Sequence, residues 1–156
     1  MNRRRALLTA LCGMLCGVRP GAGFSQPGEP LDLSTLAAFV DILLPADDLS
    51  PAASVLKVHE SIADFAEKAP KLDQLLAGGT GWLNQTGTVP FRDLPQSDQV
   101  AILRWMEAAD PAEGPHAFFF AVRLLAIEFY YADPASIGGF PLNPSPQPAG
   151  YPPPWI

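Results

Sequence analysis

The sequence is poor in cysteine, in basic residues and in long apolar runs. Its two cysteines are Cys12 and Cys16, so the chain after position 16 has no thiol for a disulfide or for nucleophilic catalysis. The apolar stretch at residues 6–18 has 13 residues, whereas a helix needs about 20 to cross a bilayer. These absences exclude a disulfide-stapled domain and a thiol enzyme, and they argue against a membrane span at this stretch.

The first 25 residues have the organisation of a secretory signal peptide. Three arginines at positions 3–5 precede the apolar stretch, and no acidic residue occurs before Glu29. A positive start, a short apolar run and small residues after it predict a signal over residues 1–25. Cleavage after Gly23 or Ser25 satisfies the preference for small residues, and we favour Ser25. The alternative, a buried N-terminal helix, does not account for the arginines.

Residues 2–8, with the sequence NRRRALL, resemble the twin-arginine export motif, in which Arg3 and Arg4 are the arginine pair. Signals of this type are addresses read by a receptor rather than membrane anchors. They direct the export of proteins that are already folded, often with a cofactor or with a partner that carries one. The motif therefore predicts a periplasmic protein and an interaction with the twin-arginine translocase.

Removal of the signal makes the protein strongly acidic. Six basic and 16 acidic residues remain, which gives a formal net charge of −10. Such a domain lacks the basic surface that neutralises nucleic-acid phosphates, so nucleic acid is excluded as a partner. About 130 residues remain, enough for one hydrophobic core.

The remaining chain is predicted to be all-α. The predicted helical domain is 26–133. After a short polar spacer at 26–30 its apolar residues recur at helical spacing, and no segment alternates strictly enough for a strand. We predict a small bundle of about four to five helices. The first is capped by Asp32 or Ser34 and stops at Pro45. The second opens at Ser50-Pro51 and continues to about Lys68, and the third runs from Lys71 to Gly78-Gly79. The fourth has Pro95 in its first turn and Val100, Leu103 and Trp105 on its apolar side. The last begins near Pro115, and its apolar residues are Phe118, Phe119, Val122, Leu125, Ala126, Phe129 and Tyr130. Residues 82–90 are predicted to be a loop or a further helical turn.

Residues 134–156 form a separate segment by composition. They contain eight prolines in 23 positions, together with Gly138-Gly139. Proline fixes φ and removes a backbone donor, so an extended, polyproline-II or irregular tail is predicted. Phe140, Tyr151 and Trp155 are unusual in a purely disordered tail. We therefore expect the tail to lie against a surface, either of this domain or of another protein.

The sequence offers no convincing catalytic or metal site. His59 has Glu60 and Asp64 at i+1 and i+5, whereas ligands on one helix face need i+3 or i+4 spacing. His116 is placed at a helix start, where a capping or solvent role is expected. Met106 beside Trp105 is typical of a core, and the glycines at 78–81 lack the register of a phosphate loop.

The order of features resembles the gluconate 2-dehydrogenase subunit 3 family over most of the chain after the signal. The matching positions are Arg3-Arg4, residues 43–53 (LLPADDLSPAA), Phe91 and Leu94, Phe118-Phe119, residues 129–134 (FYYADP), Gly138-Gly139 and residues 150–152 (GYP). This family is the small subunit of periplasmic flavin-dependent sugar or sugar-acid dehydrogenases.

The resemblance implies a non-catalytic subunit that escorts a large flavoprotein of the glucose-methanol-choline type through twin-arginine export and stabilises it. It implies no cofactor in this chain, FAD in the large subunit, and haem c in a cytochrome c subunit where one is present. Attachment to the membrane would then be through partner subunits. The expected partner-facing residues are the apolar and tail positions Phe118, Phe119, Phe129, Tyr130, Gly138, Gly139, Phe140, Tyr151 and Trp155.

Two other functions are compatible with the residues. One is a free-standing periplasmic module whose helical bundle binds a small apolar ligand. The other is an enzyme that uses the carboxylates of Asp47 and Asp48, which we rank last because no nucleophile accompanies them.

Overall fold

The computed structural model describes residues 30–139, and within this range the chain forms helices and turns but no strand. The expected small all-α bundle is confirmed. Its five α-helices are α1 (Leu33–Leu43), α2 (Val58–Ala66), α3 (Pro70–Gln85), α4 (Gln96–Ala108) and α5 (Gly114–Ala132). Single 3₁₀ turns occur at Phe91–Asp93 and Pro134–Ser136.

Helix α1 begins where the sequence pattern placed it. The Asp32 carboxylate accepts hydrogen bonds from the backbone N–H groups of Ser34 (2.9 Å) and Thr35 (3.1 Å). These bonds satisfy two of the donors that the first turn of a helix leaves unpaired. The helix ends at Leu43, two residues before Pro45.

The predicted start of α2 at Ser50-Pro51 is wrong, because the helix begins at Val58. The residue before it, Lys57, has φ 56°, a left-handed conformation that interrupts a right-handed helix. Upstream, the Ser50 hydroxyl and backbone N–H both donate to Asp47, at 2.9 and 2.7 Å. Ser50 therefore closes a loop around Asp47 instead of capping a helix.

The predicted end of α3 at Gly78-Gly79 is also wrong, because the helix continues to Gln85. Gly79 is buried where α3 crosses α5. A Cβ at this position would lie 2.0 Å from Cδ2 of Phe118. The glycine is thus present for close approach of two helices and not for helix termination.

Helix α4 follows Pro95, which is its N-cap. Leu103 is buried as predicted, but Trp105 is 52 % exposed, and Met106 is the fully buried side chain of this turn. Since Met106 is enclosed by the core, the structure agrees with its interpretation as a packing residue.

Helix α5 is the central element of the bundle and contacts each of the other four α-helices. Its inner face packs into an aromatic cluster in which the Phe39 ring of α1 lies edge-on to Phe118 (5.1 Å between ring centroids) and to Phe119 (6.4 Å). Edge-to-face geometry adds to the free energy gained by burial of the rings. The core therefore depends on the inner half of α5.

We predict that Gly79→Ala destabilises the fold by about 1–3 kcal/mol, as expected for overpacking of a core. The direction of this change is informative, because Gly→Ala at a helix position with free space would instead stabilise the helix. Urea unfolding followed by circular dichroism measures the change.

The matched control is Phe118→Leu, alone and combined with Gly79→Ala. If the ring causes the clash, the double variant loses less stability than the two single changes summed. Strict additivity would show that Gly79 matters for another reason.

Candidate partner-binding face

The outer face of α5 is apolar although it is exposed. Phe120, Leu124, Ile127 and Tyr131 follow one another at intervals of four, three and four residues, which places them in one line along the helix. Their exposed fractions are 38, 37, 42 and 58 %. We call these four side chains the α5 stripe. It runs on the side opposite to the residues that form the core.

The α5 stripe itself carries no charge, and a charged pair lies at its border. Arg123 and Glu107 of α4 form an ion pair with 3.3 Å between Nη1 and Oε1. The Arg123 guanidinium also lies 5.9 Å from the centroid of the Phe119 ring. The pair is exposed, so it adds little to stability. An apolar strip bordered by charged groups is the arrangement expected of a protein interface.

His116 extends the α5 stripe toward the start of the helix. Its ring lies 4.4 Å from that of Phe120, with an angle of 33° between the planes. The buried Nδ1 atom makes no hydrogen bond with any residue of the described part. The position is in the first turn of α5, but the histidine does not cap it.

A second exposed aromatic group joins α3 and α4. Trp105 stacks on Trp82 with 5.6 Å between ring centroids and 20° between planes. Trp82 is half-buried, whereas Trp105 is more than half exposed. The sequence pattern placed Trp105 in the core, so its contribution to the surface was missed.

Three of the residues expected to face a partner are instead buried in this chain's own core. Phe118, Phe119 and Tyr130 are 0, 4 and 3 % exposed. The prediction that they face a partner is wrong, because they belong to the inner arc of α5. From the middle of the α5 stripe, Tyr130 lies about 90°, Phe119 about 110° and Phe118 about 150° around the helix. Phe129 is half-buried against Phe65 of α2, at 6.0 Å between ring centroids.

The two glycines of the tail are exposed, and Gly139 is in close contact with the α1–α2 connection. A Cβ on Gly139 would lie 2.2 Å from the Leu49 carbonyl oxygen, whereas one on Gly138 would meet nothing closer than 3.6 Å. The connection is also tied to α5, since the Tyr130 hydroxyl donates to the Pro51 carbonyl oxygen (2.7 Å). Arg3, Arg4, Phe140, Tyr151 and Trp155 lie outside the described residues.

Asp47 of the connection and Asp41 of α1 have structural partners. The pKa of Asp47 is lowered because its carboxylate accepts hydrogen bonds from the backbone of Leu49 and from Ser50. Asp41 accepts from the Ser54 hydroxyl (2.6 Å) and backbone N–H (2.7 Å). Because hydrogen bonds of the turn hold Asp47 in its ionised form, this carboxylate is poorly suited to proton transfer near neutral pH.

A shallow surface cleft of about 500 Å³ lies between the start of α1 and the end of α3. It is lined by Pro30, Leu31, Asp32, Gly81, Asn84 and Gln85. Burial opposes ionisation of Asp32, but hydrogen bonds from Ser34, Thr35 and Asn84 outweigh it and hold the pKa of Asp32 well below its usual range. Asp32 and Asn84 are therefore engaged in joining α1 to α3, since the Asn84 amide donates to the Asp32 carboxylate at 2.9 Å. The cleft is open and partly polar, unlike the enclosed apolar pockets that hold apolar ligands.

Across residues 30–139 there is no cluster of three or more His, Cys, Asp or Glu side chains that could hold a metal ion. None of the helices in this range combines the length and hydropathy needed to cross a bilayer.

Comparison with known proteins gives one match. The family model described as gluconate 2-dehydrogenase subunit 3 matches residues 30–143, which is most of the chain and all of the described bundle. Neither the curated proteins nor the solved structures contain a match. Because the family model matches well over half of the chain, the chain belongs to the gluconate 2-dehydrogenase subunit 3 family.

Proposed function

We propose that this chain is the non-catalytic small subunit of a periplasmic FAD-dependent sugar or sugar-acid dehydrogenase. In this proposal it escorts a large flavoprotein of the glucose-methanol-choline type through twin-arginine export and stabilises it afterwards. Family membership itself implies association with other subunits of a dehydrogenase complex. The escort role, the export route and the flavoprotein class belong to the proposal.

The observation that carries the proposal is the α5 stripe. Helix α5 has 19 residues and is apolar on its inner and outer faces. Of its side chains only those of Arg123 and Glu128 are charged. A helix this apolar is normally buried on most sides, yet the described bundle leaves the α5 stripe exposed. Phe120 and Tyr131, at the two ends of the stripe, are aromatic, and aromatic residues are enriched at protein interfaces. A large partner chain would complete the burial.

The division of chemistry between subunits follows from the same proposal. FAD is assigned to the large subunit, and haem c to a cytochrome subunit where one is present. This chain contributes packing surface and the signal that contains Arg3 and Arg4. A receptor that accepts folded cargo would then export both chains through one address.

We predict that Ile127→Glu lowers the amount of large flavoprotein that co-purifies with the tagged chain by at least tenfold. A carboxylate in the centre of an apolar interface loses its hydration without a partner, a cost of several kcal/mol. Pull-down from cells that co-express both chains, with flavin absorbance as readout, measures the effect.

Val89→Glu is the matched control. Val89 is 41 % exposed, against 42 % for Ile127, but it lies in the loop between α3 and the 3₁₀ turn at Phe91–Asp93. The control variant should retain the flavoprotein. Equal loss from both variants, or from neither, would remove the α5 stripe as the interface.

A second prediction concerns export. Replacement of Arg3 and Arg4 together by lysine should leave the flavin-loaded large subunit in the cytoplasm, because the arginine pair is the element that the receptor reads. Cell fractionation followed by dehydrogenase assay of the periplasm measures it. Replacement of Arg19 by lysine provides a control at the other end of the signal. Normal periplasmic activity in the double variant would refute the escort role.

A further inference from the structure

The α5 stripe and the exit of the C-terminal segment lie at the same end of the bundle. Tyr131, the last residue of the stripe, contacts the ring of Tyr130 at 5.2 Å between centroids. Tyr130 donates its hydroxyl hydrogen bond to Pro51 in the α1–α2 connection. Gly139 packs on Leu49 of that same connection. The chain therefore leaves the described domain close to the end of the stripe.

The exit point is fixed by local packing. After α5, the chain forms the 3₁₀ turn Pro134–Ser136, and the buried Ser136 hydroxyl donates to the Asp133 carbonyl oxygen (2.7 Å). Leu49 then approaches Gly139 so closely that no side chain fits on that residue. The Leu49 backbone is itself held by Asp47, which accepts its N–H at 2.8 Å. These contacts fix the position of Gly139, the last residue that the structure describes.

The segment that follows has the composition of a ligand for an apolar surface. Residues 140–156 contain no charged side chain and no histidine, seven prolines, and the aromatic residues Phe140, Tyr151 and Trp155. The α5 stripe is likewise uncharged. Extended proline-rich segments bind surfaces lined by aromatic side chains because little conformational entropy is lost when they dock.

The length of the segment is sufficient. Seventeen residues in polyproline-II conformation span about 50 Å at 3.1 Å per residue. The α5 stripe, from Phe120 to Tyr131, spans about 17 Å at 1.5 Å per residue. The segment therefore has enough chain to pass around α5 from Gly139 and follow the whole stripe.

We propose that residues 140–156 cover the α5 stripe of their own chain in the free subunit, and that the large flavoprotein displaces them. The displacement of the segment by the flavoprotein rests on the proposed function, whereas the covering of the stripe does not. Tethering gives the segment an effective concentration in the millimolar range, so weak contacts are enough to keep it in place. The free subunit thereby hides its apolar face until the larger, preorganised partner surface replaces the segment.

Disulfide trapping tests the cover in the isolated full-length chain. In a background with Cys12→Ser and Cys16→Ser the chain has no other thiol. One variant combines Leu124→Cys with Ala149→Cys, and its control combines Val55→Cys with Ala149→Cys. Val55 is 68 % exposed and lies in the connection that Gly139 contacts, so an undocked segment would reach it at least as readily. Circular dichroism verifies that both variants retain their helices.

We expect the intramolecular disulfide with Leu124→Cys to form at least tenfold faster than the one with Val55→Cys. Tyr151→Ser and Trp155→Ser, added together, should remove most of this advantage. Gly139→Ala should also reduce this rate advantage, whereas Gly138→Ala should not, because only a Cβ at residue 139 would clash with the Leu49 backbone. Equal rates for the two pairs would overturn the proposal. Disulfide-linked dimers as the main product would also overturn it, by showing that a second copy occupies the stripe.

The large flavoprotein, added to the Leu124→Cys pair before oxidation, separates this inference from the proposed function. Slower trapping supports displacement. If trapping is selective but unaffected by a flavoprotein that binds, the cover stands and displacement is wrong. If the flavoprotein does not bind to the unmodified chain either, the proposed function fails while the intramolecular result remains valid.

Discussion

The fold depends on the close approach of α3 to α5, where the ring of Phe118 lies over a residue without a side chain. Gly79 allows the two helices to meet, and Phe118 can then pack edge-on to Phe39 of α1. Once this contact fixes the rotation of α5, the orientation of every other residue of that helix follows from its 3.6-residue period. Phe119 and Tyr130 turn inward, while the α5 stripe turns outward. One packing constraint thus determines both the core and the face available to a partner.

Much of the architecture could be predicted from helical periodicity, because an amphipathic pattern reports burial directly. Asp32 was identified as one of two candidate caps, and the extent of α5 was close to that observed. The errors arose at residues whose role depends on distant parts of the chain. Gly79 resembles a helix stop unless Phe118 is known to lie above it, and Ser50-Pro51 resembles a helix start unless Asp47 is known to bind Ser50. Spacing alone does not report such contacts.

The candidate surface was harder to predict for a related reason. The sequence pattern placed seven apolar residues on the last helix, and Phe118, Phe119 and Tyr130 among them were assigned to the partner. Apolar residues on both sides of a helix have the same chemistry, so composition does not distinguish the inner from the outer arc. The spacing of Phe120, Leu124, Ile127 and Tyr131 was a usable signal that only the packing of α5 made interpretable.

The central claim is that the outer face of α5 contacts the large flavoprotein in the assembled dehydrogenase. A photo-crosslinking amino acid placed at Leu124 tests it most directly, because its short reach reports the neighbour of that one side chain. After irradiation of cells that produce both chains, we expect a covalent adduct whose partner is identified by mass spectrometry as the large flavoprotein. The same group at Val89 should give none. Adducts from Val89 and not from Leu124, in cells that contain the assembled complex, would contradict the account.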